Sequence, residues 1–297
     1  MQTRLPLLSV IIPTYNRPDR LRHCLKAVAK QTYDHQCFEV IVVDDGSHTS
    51  MAPIIGELAS KVDITLLQQQ NSGPARARNK GAQQAHGQYL IFTDDDCTPT
   101  PDWLSQIAAH FAVNPQSFIG GHTLNALPDN PYSTASQLLI DYLYGYYNAE
   151  PGQASFFASN NFALPADLFH QMGGFDTTFP LAAGEDRELC DRIHQQGIPM
   201  RYVPEAKIWH AHELSLKKYW RQHFNYGRGA YHFHQVRSRR KAAPVQVEPL
   251  TFYTRLLTYS FKRSNVSSAL FLAGLMLVSQ VANVAGFFWE KRKQPAS

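Results

Sequence analysis

Three consecutive carboxylates, Asp94-Asp95-Asp96, are the residues whose spacing most plainly suggests chemistry. At the end of a strand, Asp94 and Asp96 project in the same direction, and paired oxygen donors of this kind suit Mg or Mn. Unscreened, the three would repel one another, so a cation or a cation-bound phosphate is what they invite. A capping cluster before a helix at Trp103 is the plainer alternative. Two more polar clusters precede them, Pro13-Thr14-Tyr15-Asn16-Arg17 and Asp44-Asp45-Gly46-Ser47. Downstream, Gly184-Glu185-Asp186-Arg187-Glu188 crowds carboxylates into what reads as the first turn of a helix, where the helix dipole favours their ionised form.

Such clusters act together only if the fold gathers them, and the apolar pattern indicates how. Leu8 to Ile12, Phe38 to Val43, Ile64 to Leu67 and Tyr89 to Thr93 are short, nearly continuous apolar runs, as expected of strands covered on both faces. Helical stretches separate them, with Leu21, Leu25 and Val28 at helical spacing. Alternating β and α elements predict an α/β fold, a Rossmann-like, mostly parallel sheet flanked by helices, with ligands at the carboxyl ends of the strands. The three polar clusters follow the first, second and fourth runs. Further on, the helix opened by Gly184 can turn Leu189, Cys190 and Ile193 to the core before Gly197 ends it.

Hydrophobic residues are 44% of the 297, and charged residues 18%, enough for a substantial core and against wholesale disorder. The net charge of +4 conceals an asymmetry, because residues 236 to 297 carry ten Lys and Arg against Glu248 and Glu290. A basic tail on an acidic body suggests an anionic surface. From Ser268 to Trp289 there is no charge, and Lys262-Arg263 and Lys291-Arg292-Lys293 flank the stretch. At 1.5 Å per residue, helix of that length reaches about 33 Å, close to a bilayer's hydrocarbon thickness. Membrane lipid is therefore the expected partner of the C-terminal segment, and nucleic acid is not, since no recognition module accompanies the basic residues. The expected organisation is a catalytic domain over 1–235, a basic linker over 236–265 and a hydrophobic, membrane-associated helix with a basic tail over 266–297. The first residues lack the apolar stretch and cleavage site of a signal peptide, so the expected location is the cytoplasmic face of a membrane, by a single C-terminal span or a peripheral helix. Cys24, Cys37, Cys97 and Cys190 show no paired metal-ligand spacing and read as reduced thiols.

In this order, these clusters resemble the nucleotide-sugar glycosyltransferases of family 2, which have the GT-A fold. The resemblance runs from about Leu8 to Gly229. It rests on Val10-Ile11-Ile12-Pro13-Thr14-Tyr15-Asn16, Val42-Val43-Asp44-Asp45-Gly46-Ser47, Ala77-Arg78-Asn79-Lys80-Gly81, Asp94-Asp95-Asp96, Gly173-Gly174-Phe175-Asp176, Gly184-Glu185-Asp186 and Phe224-Asn225-Tyr226-Gly227-Arg228-Gly229. It implies that Pro13, Thr14, Tyr15 and Arg17 line the base and ribose pocket, that Asp45 reads the base with Asp44 supporting its loop, and that Arg78 lies near the nucleotide. Asp94, with Asp95 beside it, matches the donor-contacting part of the acidic motif, and Asp96 the carboxylate that binds Mg or Mn on the diphosphate. The resemblance also implies a metal- or phosphate-contacting histidine after a strand at Arg201 to Val203, where His210 and His212 stand, and His210 is the one taken as a metal contact. Members invert the anomeric centre by direct displacement, so a carboxylate must take the acceptor's proton. Asp186 is the candidate base, with Glu185 in reserve. Trp103 is the candidate acceptor-stacking residue, and Gly227-Arg228-Gly229 either a lid presenting Arg228 to the diphosphate or a helix terminus.

The expected function is inverting, metal-dependent transfer of a single sugar from a nucleotide-diphosphate sugar, UDP- or GDP-linked, to a hydroxyl of a lipid-linked or polysaccharide acceptor in cell-envelope glycan synthesis. Processive synthases of the family carry Gln-x-x-Arg-Trp and several spans, whereas Tyr219-Trp220-Arg221-Gln222-His223 and one candidate span stand here. Ser136 to Tyr147 is an amphipathic helix that either borders the acceptor or packs in the core. A sugar-phosphate nucleotidyltransferase or a nicotinamide dehydrogenase would need a glycine-rich loop after the first strand, and Pro13-Thr14-Tyr15-Asn16 has no glycine. A membrane-associated scaffold that binds sugar or nucleotide without turnover is the remaining alternative, disfavoured by the presence of both Asp96 and Asp186.

Overall fold

The computed structural model describes residues 5–150, 152–240, 248–263 and 265–293. Lys241 and the rest of 241–247, part of the expected linker, lie outside the described residues, as does the tail after Lys293. In chain order the first half contains β1 (Leu8–Thr14), α1 (Pro18–Val28), β2 (Phe38–Asp44), α2 (Ala52–Leu58), β3 (Ile64–Gln68), α3 (Pro74–Gln84), β4 (Tyr89–Thr93), β5 (Cys97–Pro99) and α4 (Trp103–Val113). There follow β6 (Phe118–Asn125), α5 (Pro131–Tyr147), β7 (Asn161–Pro165), α6 (Ala166–Gln171), α7 (Glu185–Gln195), β8 (Met200–His210), α8 (Leu216–Arg239), α9 (Leu250–Thr258) and α10 (Val266–Lys293).

All seven residues of β1 are buried, as its continuous apolar run requires. The strands form one sheet in the order β3-β2-β1-β4-β7-β6-β8-β5. The expected parallel pairing holds for β3, β2, β1 and β4. Beyond β4 the sheet is mixed, because β7 runs antiparallel to β4 and β6, and β5 antiparallel to β8. A strand buried on both faces has the same apolar pattern whichever way its neighbour runs, so periodicity does not encode this change. Leu21, Leu25 and Val28 of α1, Ile54 of α2 and Trp103, Leu104 and Ile107 of α4 pack with Val10, Ile12, Val40 and Val42. Ala77 of α3 packs with Ile41 and Val43, whose side chains point the opposite way from the strand. Each fully buried Leu or Ile contributes about 1.5–3 kcal/mol, which makes the sheet a rigid support for what stands at its ends.

The chain folds as two compact units, one comprising Met1–Leu124, Asn148–Thr177 and Asp186–Ala211, the other Asn125–Tyr147, Thr178–Glu185 and His212–Ser297. The second unit is helical. Its core joins Leu138 and Tyr142 of α5, Tyr219 of α8, Phe252 and Leu256 of α9, and Leu272 and Met276 of α10. The apolar side of α5 is thus a packing face. Gly227, Arg228 and Gly229 lie in the interior of α8, neither a lid nor a terminus. A Cβ on Gly227 would stand 1.8 Å from the Asn283 carbonyl oxygen, and one on Gly286 1.9 Å from that of Phe224, so the glycines bring α8 and α10 into backbone contact. Arg228 donates from Nε to Glu290 Oε2 at 2.6 Å and is committed to this helix pair instead of a diphosphate. Among the described residues α10, 28 residues long, is the helix with the length and composition to cross a membrane.

Candidate active site

Pro13 and Thr14 end β1, and the chain turns at Asn16, whose φ of 55° is left-handed. Asn is one of the few side chains that tolerate this region, and here it also ties two loops together. Its N–H donates to Ser47 Oγ at 2.8 Å, and its Oδ1 accepts from the N–H of His48 at 2.8 Å. The loop after β2 is built likewise. Gly46 has φ +85°, and a Cβ there would fall 2.7 Å from the Asn71 nitrogen. Asp44 accepts from the Ser47 N–H at 2.9 Å. Asp45 accepts from Gln69 Nε2 and the N–H groups of Ser72 and Gly73 at 2.8–2.9 Å. Asp45 therefore organises the 69–73 loop with both of its oxygens, and Tyr15 stands exposed beside this network's first turn.

The acidic run follows β4. Asp95 accepts from the Thr14 hydroxyl at 2.8 Å and from Arg17 Nη1 at 3.2 Å. The same Arg17 nitrogen reaches Asp96 Oδ2 at 3.2 Å, and Arg20 Nη1 reaches that oxygen at 2.8 Å. Burial and the neighbouring Asp96 charge push the Asp95 carboxyl up to about 6, against the pull of Arg17 and Thr14. Burial acts on Asp96 as well, but the His210 hydrogen bond and the charges of His210, Arg17 and Arg20 outweigh it and hold its carboxyl well below the usual range. Arg20 went unremarked at the level of sequence. The signal was its position in the first turn of α1, three residues after Arg17 at the N-cap, where both guanidiniums reach Asp96.

His210 reaches this cluster through the sheet. It is the last residue of β8 and pairs with Cys97 of β5, while the N–H of Ala211 donates to the Asp96 carbonyl at 2.9 Å. The register leaves His210 Nε2 3.2 Å from Asp96 Oδ1. Burial would lower the imidazole's pKa, but the bond to Asp96 and the charges of Asp96 and Asp94 raise it. The Asp96 carboxylate is the hard oxygen donor that Mn or Mg takes, and the His210 imidazole stands beside it as a further donor. The ligand atoms of Asp96, Cys97 and His210 lie within 4.8 Å of one another. Burial and the neighbouring carboxylates push the Cys97 thiol up.

Arg78 holds the first residue of the acidic run. It is 4% exposed, and its Nη2 donates to Asp94 Oδ1 at 2.6 Å. Its guanidinium lies 5.5 Å from the centroid of the Phe175 ring, which Asn79 fixes by hydrogen bonds to both backbone groups of Phe175 at 2.8 Å. Asp186, half-buried in the first turn of α7, has its carboxyl raised by burial, while the Arg187 N–H and the Arg78 charge oppose that rise. Arg78 thus bonds Asp94, and its charge is also felt by the Asp186 carboxyl. Glu185 is buried. Leu189, Cys190 and Ile193 are fully buried on the inward face of the same helix.

Trp103 does not belong to the site. It is 0% exposed, packed in the core, and donates from Nε1 to Asn161 Oδ1 at 2.9 Å. An indole used in this way has no face left for a sugar. Sequence alone did not distinguish a stacking indole from one that caps a buried amide.

Residues 9–173 match the family described as glycosyl transferase family 2. Validoxylamine A glucosyltransferase of Streptomyces hygroscopicus subsp. limoneus is 32% identical over 232 residues, 69% of this chain and 51% of that protein, so the chain spans about half the length of this relative. Glycosyltransferase AglE of Haloferax volcanii is 34% identical over 208 residues, covering 69% of this chain and 67% of AglE. Among solved structures, the mannosyltransferase PcManGT from Pyrobaculum calidifontis, in complex with GDP-Man and Mn2+, superposes with a TM-score of 0.68 at 18% identity, over 97% of this chain and 89% of its own. Residues 1–349 of Staphylococcus aureus TarS give 0.57 at 17% identity, over 97% and 92%. Sheet, sequence match and structural neighbours agree that the chain belongs to glycosyl transferase family 2 and has the GT-A fold.

Proposed function

We propose that this chain is a metal-dependent, inverting glycosyltransferase that moves one sugar from a UDP- or GDP-sugar to a hydroxyl of a lipid-linked or polysaccharide acceptor. The work is assigned to the cytoplasmic face of a membrane, to which the C-terminal helix attaches the enzyme. The observation that carries the assignment is the Asp96–His210 pair beside the bond from Arg78 to Asp94, with the Arg78 charge also acting on the Asp186 carboxyl. A relative that is a glucosyltransferase, and neighbours holding GDP-Man with Mn2+ or UDP, support the donor class.

Asp96 and His210 would hold the divalent cation, whose chemistry is to offset charge on the departing diphosphate. Pro13, Thr14, Tyr15 and Arg17 would receive the nucleoside. Asp44 and Asp45 fix the loops on which that pocket depends. In the reaction Asp186 takes the proton of the acceptor hydroxyl as its oxygen bonds to the anomeric carbon. The bond from that carbon to the diphosphate oxygen breaks, and the nucleoside diphosphate leaves with the electron pair. Burial keeps Asp186 basic enough to accept a proton, and Arg78 keeps it ionised enough to be ready.

The test is nucleotide release by the purified chain with Mn or Mg, across a panel of UDP- and GDP-sugars and with lipid and glycan extracts as acceptors. One donor class should support turnover. Asp186→Asn should lower kcat by about 10²–10⁴ while leaving donor binding intact, and Asp96→Ala should abolish transfer. Turnover retained in Asp186→Asn would overturn the assignment of the base.

A further inference from the structure

The described part of α10 presents two different faces. Leu272, Leu275, Met276, Ser279, Ala282 and Gly286 are buried or backed by protein. On the opposite side Leu270, Gly274, Leu277, Val281, Val284 and Phe288 are exposed at alternating steps of four and three, a single apolar stripe about 27 Å long. A stripe of this size on water asks for an occupant.

Whether α10 can cross a bilayer depends on what is fastened to its other face. Tyr219 of α8 donates its hydroxyl to the Leu275 carbonyl at 3.0 Å, the Tyr231 and Phe287 rings lie 5.4 Å apart, and Arg228 holds Glu290. With the backbone contacts at Gly227 and Gly286, α8 is bound along α10 from Leu275 to Glu290. A spanning α10 would carry this part of α8 into the hydrocarbon, and with it Arg221, which is exposed, and Gln222, His223 and Asn225. An arginine is among the most costly side chains to place at the bilayer centre. In the membrane plane, α8 stays on the aqueous side and only the stripe enters the lipid.

The charges at its ends identify the occupant. Lys262 and Arg263 precede α10, and Lys291, Arg292 and Lys293 end it. A second copy of this chain would bring like charges together whether the helices paired parallel or antiparallel, because both ends are basic. An anionic lipid surface complements both ends at once. We infer that α10 is an in-plane anchor, which lies on anionic membrane with the stripe from Leu270 to Phe288 in the acyl boundary and does not span. This rests on the membrane attachment proposed above and specifies its geometry.

The test uses the full chain with one epitope tag before Met1 and another after Ser297, in sealed inverted membrane vesicles from producing cells, treated with protease from outside. The in-plane anchor predicts that both tags pellet with the vesicles and that both are digested. Digestion of the N-terminal tag with protection of the C-terminal one would overturn it while leaving membrane attachment intact. Recovery of the chain in the soluble fraction would refute the attachment itself. The double variant L277D/V284D alters exposed positions only, so its far-UV circular dichroism and melting should match the unaltered chain. Its bound fraction on vesicles containing phosphatidylglycerol should fall at least tenfold. If the unaltered chain is instead a dimer without lipid and this variant a monomer, the stripe is a self-association surface and the inference is wrong.

Discussion

Arg78 and Arg228 make bonds of the same length, 2.6 Å to a carboxylate oxygen, and the two pairs differ in which partner is hidden. In the first pair the arginine is 4% exposed and Asp94 29%, so a buried cation holds an accessible acid. In the second the arginine is 22% exposed and Glu290 8%, so the acid is sealed against the helix pair. A carboxylate kept accessible by a buried partner remains available to a ligand. One buried beneath a partly exposed partner holds helices together, and removing that partner leaves an uncompensated charge inside.

The largest effect separating the two pairs is expected from Arg78→Met, which should reduce transfer at least 100-fold. The Arg78 charge lowers the Asp186 pKa, so its removal raises that pKa, and the acidic limb of the pH–rate profile should move to higher pH. An unmoved limb would show that Arg78 does not act on Asp186. On the helical side, Gly227→Val forces side-chain atoms into the Asn283 carbonyl and should destabilise the second unit by about 3 kcal/mol, read as a lowered denaturant midpoint. Arg228→Met should cost about 2–3 kcal/mol by the same measurement. Donor affinity should stay within twofold in that variant, and a larger loss would restore Arg228 to the diphosphate.

The smallest effect concerns Asp95. Its carboxyl is raised to about 6 from an ordinary value near 4, so between those pH values the folded chain binds more protons than the unfolded one. Stability from this group is present below about pH 4 and is lost as pH rises through about 6. Asp95→Asn carries no such penalty, and at pH 7.5 it should be more stable than the unaltered chain by about 1–2 kcal/mol, with the gain vanishing toward pH 4. A constant difference across that range would show that the carboxylate is not strained by its neighbours.

The parallel half of the fold was legible because β1, β2 and β4 are nearly continuous apolar runs with polar clusters at their ends. The antiparallel strands β5 to β8 were less so: β7 is buried on both faces, which leaves no trace of direction, β5 is only three residues long, and exposed positions interrupt the apolar pattern of β8. His210 was reached only through the resemblance, since nothing local reveals that β8 pairs with β5 and sets it against Asp96. The Arg228–Glu290 pair joins residues 62 positions apart, and a glycine flanking an arginine reads the same in a lid as between packed helices. Trp103 was ambiguous because an indole's role depends on whether its N–H meets a buried acceptor, here Asn161.

Electron paramagnetic resonance of Mn2+ titrated into the purified chain with UDP or GDP present reports whether Asp96 and His210 hold a cation beside a nucleoside diphosphate while Asp186 serves the acceptor. The bound-Mn2+ signal should be lost in Asp96→Ala, weakened in His210→Ala and unchanged in Asp186→Asn. A signal in Asp96→Ala as strong as in the unaltered chain would contradict this placement of the cation.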